Sequence, residues 1–110
     1  MIFINHEDEL TWKNQFQVLY FNATWMPFNQ KVTLMLDKVA EKFPSLSFFA
    51  IDTDYFEVLC RRFDINSIPT VLIMENGKEV KRIEEVLPTH EFVAIFDDIC
   101  SLKHNTGVKL

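Results

Sequence analysis

Apolar positions along the chain alternate between unbroken runs and helical stripes, and that alternation predicts the order of elements. Val18 to Phe21 and Phe48 to Ile51 are continuous apolar runs, the pattern of strands buried on both faces of a parallel sheet. Between them Phe28, Val32, Met35, Leu36, Val39 and Phe43 recur at three- and four-residue spacings, while Asp37, Lys38, Glu41 and Lys42 fill the other face, so a crossover helix is expected there. Strand, helix and strand make a βαβ unit. Upstream, Ile2 to Ile4 is β-prone, and Asn5 is expected to cap a short helix reaching Asn14, with Glu7, Asp8 and Glu9 in its first turn and Leu10 and Trp12 as anchors. Downstream, Asp54 and Glu57 read as a capping pair opening a short helix that carries Phe56, Leu59 and Phe63. Thr70 to Met74, then Asn76-Gly77, then Val80 to Ile83 form a hairpin signal, because Asn-Gly accepts the positive φ angles of a tight turn. Thr89 is expected to cap a last helix with Phe92, Val93, Phe96, Ile99 and Cys100 along one stripe. The order β-α-β-α-β-α-β-β-α predicts an α/β three-layer sandwich whose mixed sheet is parallel in its first half and ends in an antiparallel hairpin. The polar end from His104 to Leu110 is set outside the domain, which spans residues 1–103.

Composition narrows the function classes. A chain of 110 residues, 48% hydrophobic, can bury one core but not two. No stretch approaches the roughly 20 apolar residues of a membrane span, and Met-Ile-Phe-Ile-Asn-His-Glu-Asp lacks the basic opening of a signal peptide, so a cytoplasmic protein is expected, with no membrane partner. A net charge of −5 without a basic run argues against nucleic acid. With two glycines, the chain holds neither a phosphate-cradling loop nor a dinucleotide fingerprint, and no cofactor is expected. Cys60 and Cys100 lie far apart without metal-ligand spacing, His6, His90 and His104 are scattered, and Asp52 and Asp54 suit strand-end and capping roles, so no metal site is expected.

Two local sequences carry a specific resemblance. Val18-Leu19-Tyr20-Phe21-Asn22-Ala23-Thr24-Trp25 is similar to the thioredoxin strand that runs into the active-site Trp. Ile65-Asn66-Ser67-Ile68-Pro69-Thr70-Val71-Leu72, followed by Asn76-Gly77, resembles the thioredoxin loop with a cis proline before the hairpin. Likeness to the thioredoxin family covers about Ile2 to Leu102 and implies a thioredoxin-like fold with a cis bond before Pro69. The chemistry is what departs. Where thioredoxins carry Cys-Gly-Pro-Cys, this chain reads Met26-Pro27-Phe28-Asn29, so both redox cysteines are replaced, at Met26 and Asn29. Disulfide exchange needs one thiolate to attack and a second thiol to resolve, and neither a thioether nor an amide can do either. The family's buried acid falls at Tyr20 and its partner lysine at about Phe48, positions that here read as core.

What survives of the family's site is its grip on an extended segment of a protein partner, with main-chain groups beside the cis proline. Trp25, Met26, Pro27 and Phe28, together with Ile68 and Pro69, are therefore the expected groove residues of a redox-inactive binding or adaptor module, a monomer or weak homodimer. Phe28 also suits the helix stripe, and Pro27 suits a first helical turn. Glu84 or Glu85 would favour a basic residue in the bound segment. The alternative is an atypical thiol-disulfide oxidoreductase in which Cys60, its pKa lowered by Arg61 and Arg62, acts with a cysteine of a partner or of a second copy. No bridge between Cys60 and Cys100 is expected, since their helices should cover opposite faces of the sheet.

Overall fold

The computed structural model describes residues 1–10 and 16–105, the last four by their backbone alone. Five strands, β1 (Ile2–Phe3), β2 (Phe16–Asn22), β3 (Ser47–Asp52), β4 (Thr70–Glu75) and β5 (Lys78–Ile83), form one sheet in the order β1-β3-β2-β4-β5. The β1–β3 and β3–β2 pairs are parallel, whereas β2–β4 and β4–β5 are antiparallel. Three helices, α1 (Asn29–Glu41), α2 (Glu57–Arg62) and α3 (Thr89–Asn105), cover its faces. This is the expected thioredoxin-like sandwich.

Because side chains of a strand alternate between faces, the sheet separates two cores. Val18, Tyr20, Phe48, Ala50, Val71 and Ile73 face α1 and α3, where Val32, Leu36, Val39, Phe92, Phe96 and Ile99 complete the larger cluster. Leu19, Phe21, Phe49, Ile51, Leu72 and Met74 face the other way, against Leu59 of α2 and Leu10. Every residue of β2 is buried, as its unbroken apolar run requires of a central strand. Cys60 packs on the α2 side and Cys100 on the α1/α3 side, and both thiols are free.

Several local expectations change. The described part of the expected helix, up to Leu10, is a three-residue 3-10 turn, Glu7–Glu9, whose N-cap is His6 instead of Asn5; positions 11–14 lie outside the described residues. Glu9 supplies the cap in reverse, its carboxylate accepting the main-chain N–H groups of Asn5 at 2.7 Å and His6 at 2.8 Å. Trp12, the second expected anchor, lies outside the described residues. The N-cap of α2 is Phe56, so Asp54 does not cap it. Helix α3 begins at Thr89 and continues through His104 to Asn105, past the expected domain boundary.

At the hairpin, Asn76 (φ 52°) and Gly77 (φ 82°) take the paired positive angles that fit the twist of β4 and β5. The C-terminus of α2 closes with Asp64 at φ 53°, where Ile65 N–H donates to Cys60 O at 2.8 Å and Asp64 N–H to Arg61 O at 3.2 Å. Arg82 of β5 then reaches across, its guanidinium donating to Phe63 O at 2.6 Å and Asp64 O at 3.0 Å while Glu79 holds it from the same strand at 2.8 Å. That contact ties the sheet edge to the loop leading to Pro69.

Candidate functional site

The site stands at the end of β2, where the chain turns into α1. Asn29 N–H donates to Met26 O at 3.0 Å, closing a four-residue turn with Pro27 second and Phe28, at φ 61° and ψ 17°, third. Pro27 presets the second position of such a turn, but the third position normally calls for glycine. Phe28 is thus the N-cap of α1 in left-handed conformation, and the residue is 76% exposed. The spacing that placed it on the helix stripe is corrected: the stripe begins at Val32, whose N–H donates to Phe28 O at 3.0 Å.

Trp25 precedes this turn and is 66% exposed, yet it is oriented, because its indole N–H donates to an Asp54 oxygen at 3.0 Å. Asp54 therefore anchors the indole, and its own N–H donates to Asp52 Oδ1 at 2.8 Å. Met26, expected at the surface, is 6% exposed and belongs to the interior. Ile68 and Pro69 are half-buried, and the bond between them is cis. Thr70 Oγ1 donates to Ser67 O at 2.6 Å and closes this loop against β4.

Two pockets flank the turn and take four of the expected groove residues between them, while Pro27 and Pro69 line neither. One, of about 370 Å³, is lined by Trp25, Ile65, Ser67 and Ile68, with Cys60 and Arg61 on the α2 side. The other, of about 1200 Å³, lies between α1 and the β1/β3 edge and takes Met26, Phe28 and Asn29. Glu84 and Glu85 are exposed in the loop after β5 and line neither.

Cys60 lies half-buried beside the pocket at Trp25. Burial pushes its pKa above the ordinary value, Glu57, Asp52 and Asp54 push the same way, and Arg61 opposes them without prevailing. The lowering expected from Arg61 and Arg62 is thereby corrected, since burial raises the pKa most and the three carboxylates add to it. Tyr20 is fully buried, its hydroxyl 3.2 Å from Thr33 Oγ1, and burial raises its pKa, so it holds no carboxylate's place in proton transfer near neutrality. Phe48 packs edge-to-face on Phe96, with centroids 5.2 Å apart. Among the described residues, no three His, Cys, Asp or Glu side chains converge as metal ligands would.

The family model for thioredoxin matches residues 4–98. The chain belongs to the thioredoxin family. Thioredoxin-1 of Saccharomyces cerevisiae is 30% identical over 66 residues, covering 60% of this chain and 64% of that protein. The chloroplastic thioredoxin Y of Oryza sativa subsp. japonica is 34% identical over 88 residues, 78% of this chain and 52% of that protein. The chain thus spans about half to two thirds of the length of these two thioredoxins. In fold, a thioredoxin from Trypanosoma brucei brucei superposes with a TM-score of 0.80 at 17% identity, covering 91% of this chain and 90% of that one.

What sequence reading missed is the contact of Asp54 with the Trp25 indole. The two residues lie 29 positions apart, and the local spacing to Glu57 offered a nearer explanation. The left-handed Phe28 was closer to legible, since Pro27 two residues before Asn29 already marks a turn.

Proposed function

We propose that this thioredoxin-family chain is a redox-inactive binding module that holds an extended segment of a protein partner beside Trp25, Ile68 and Pro69, acting as a monomer or weak homodimer in the cytoplasm. The observation that carries the reading is Trp25: a large aromatic left two-thirds exposed, but oriented by Asp54 above a small pocket. Trp is the residue type most enriched among interface anchors, and an anchor fixed before binding loses less entropy when the partner arrives. Met26 and Asn29 stand where the family's cysteines would, so the turn beside that anchor has no thiol to offer.

The oxidoreductase reading has one observation in its favour, that Cys60 lines the same pocket as Trp25 and Ile68. Its raised pKa weighs against it, because the thiolate is the nucleophile. Peptides selected from a displayed library on the wild-type chain separate the two. Truncating a buried anchor typically costs more than about 2 kcal/mol, so Trp25→Ala should weaken the selected peptides about thirtyfold. Ile68→Asp should abolish them. Equal affinity for both variants defeats the proposal, and multiple turnovers of a small aromatic disulfide by the wild type would establish the other reading.

A further inference from the structure

The small pocket at Trp25 has two walls that meet at one place in the chain. Glu57, Cys60 and Arg61 of α2 contribute one, and Ile65 to Ile68 of the following loop contribute the other. The joint between them is Phe63 and Asp64, where α2 has ended and Asp64 takes its left-handed φ of 53°. A residue other than glycine bears a cost in that region, so bonds around the joint must hold the bend. Arg82 supplies two of them from β5. It lies opposite Leu72 in the pairing with β4, on the face of the sheet that α2 covers, and its side chain is 21% exposed. Its Nη2 donates to Phe63 O at 2.6 Å and its Nη1 to Asp64 O at 3.0 Å. Along another edge of the same guanidinium, Nε and Nη2 donate to the two carboxylate oxygens of Glu79 at 3.0 Å and 2.8 Å. A planar fork seated on one edge by a bidentate carboxylate presents its other edge in one orientation only.

We propose that Arg82 is a positioning residue for partner binding: by clamping residues 63 and 64 it fixes the separation of α2 from the loop at Ile68 and holds the pocket at Trp25 in its receptive shape. The proposal rests on the groove reading above and adds to it what keeps the groove open. Arg82 lines neither pocket beside the turn, so it acts on a bound segment only through the joint. Without the fork, the bonds at the helix end remain, Ile65 N–H to Cys60 O and the longer Asp64 N–H to Arg61 O. The two walls then shift against each other, and apparent affinity falls in proportion to the fraction of molecules with the receptive shape. A merely structural Arg82 would lower stability and leave affinity alone.

The test uses the full chain and the peptides selected from the displayed library, with rates measured by surface plasmon resonance and amide hydrogen exchange followed by NMR. Arg82→Met should weaken the peptides about fivefold or more, chiefly by slowing association, because fewer molecules are receptive at any moment. Arg82→Lys, which keeps the charge but not the fork, should fall between it and the wild type. Val39→Ala serves as the control, since Val39 is buried on the α1/α3 side of the sheet and its truncation lowers stability without touching the joint. It should bind as the wild type does. Exchange at the Asp64 and Ile65 amides should be faster in Arg82→Met than in Val39→Ala. Glu79→Ala unseats the fork from its other edge, should cause a smaller loss of the same kind, and stands in if Arg82→Met does not fold. Wild-type affinity in folded Arg82→Met overturns the proposal, as does an equal loss in Val39→Ala. Peptides indifferent to Trp25→Ala overturn the groove reading instead, and exchange at Asp64 and Ile65 then decides whether Arg82 holds the joint, unchanged exchange overturning that too.

Discussion

Phe28 combines two features that rarely coincide, a bulky side chain in left-handed conformation and a ring that packs on little. The left-handed region costs a non-glycine residue about 1–2 kcal/mol, through the approach of Cβ to the following carbonyl. A fully buried Phe side chain contributes roughly 1.5–3 kcal/mol. With the residue 76% exposed, only about a quarter of that, near 0.5 kcal/mol, offsets the cost. Phe28→Ala should therefore lose about 0.5 kcal/mol, because alanine keeps the backbone cost and gives up the contact. Phe28→Gly gives up the same contact but removes the backbone cost, against about 0.4–1 kcal/mol for the greater freedom of glycine in the unfolded chain. The glycine variant should thus be more stable than the alanine variant by about 0.5–1 kcal/mol. At a urea slope of about 1–3 kcal/mol per M, that is a midpoint gap of roughly 0.2–1 M. Equilibrium urea unfolding of the two variants, followed by far-UV circular dichroism, reads the gap directly. Equal midpoints, or a lower one for glycine, would refute the account of the turn.

Arg82→Ala should destabilise the fold by about 1–3 kcal/mol through loss of charge-assisted bonds to Phe63 O and Asp64 O. Because the Arg82 contact lowers the Glu79 pKa from its ordinary 4.5, its stabilisation is present above that pH and lost as pH falls through the folded value, so the gap between wild type and variant should narrow in acid unfolding experiments. Met26→Cys with Asn29→Cys should form an intrachain disulfide, since a turn closed from Asn29 N to Met26 O brings the two Cα atoms within reach. Turnover of that variant should stay poor, as Tyr20 and Phe48 relay no proton, and turnover near that of a thioredoxin would show the argument to be misplaced. Cys60 in the native chain should react with a disulfide reagent more slowly than a free cysteine near neutral pH, with the rate rising at higher pH than for the free thiol.

How much the sequence disclosed depends on how local each cause is. The alternating runs of Val18 to Phe21 and Phe48 to Ile51 and the stripe from Val32 to Phe43 placed the sheet and α1, because burial on one or two faces leaves a period in the sequence. Asn76-Gly77 fixed the hairpin for an equally local reason. The site was less legible. Trp25 and Phe28 sit three residues apart, yet the turn sends them toward different pockets, and no periodic pattern describes a turn. Met26 was misplaced since its neighbours on both sides are exposed. Asn22 Nδ2 and Asn29 Oδ1, buried without a partner among the described residues, had no signature at all, because the absence of a partner is a property of the assembled fold.

The two outer strands limit how copies of this chain can meet. At one edge β1 is only two residues long, and at the other β5 presents Lys78, Glu79, Lys81 and Arg82 along its length. A strand too short to template a neighbour and a strand studded with charge are both poor seeds for edge-to-edge pairing. Protein held at high concentration should accordingly resist growth into ordered β-aggregates. Any homodimer must then be built by side chains meeting across the faces of the molecule, and its formation would leave the five-stranded hydrogen-bond ladder unextended.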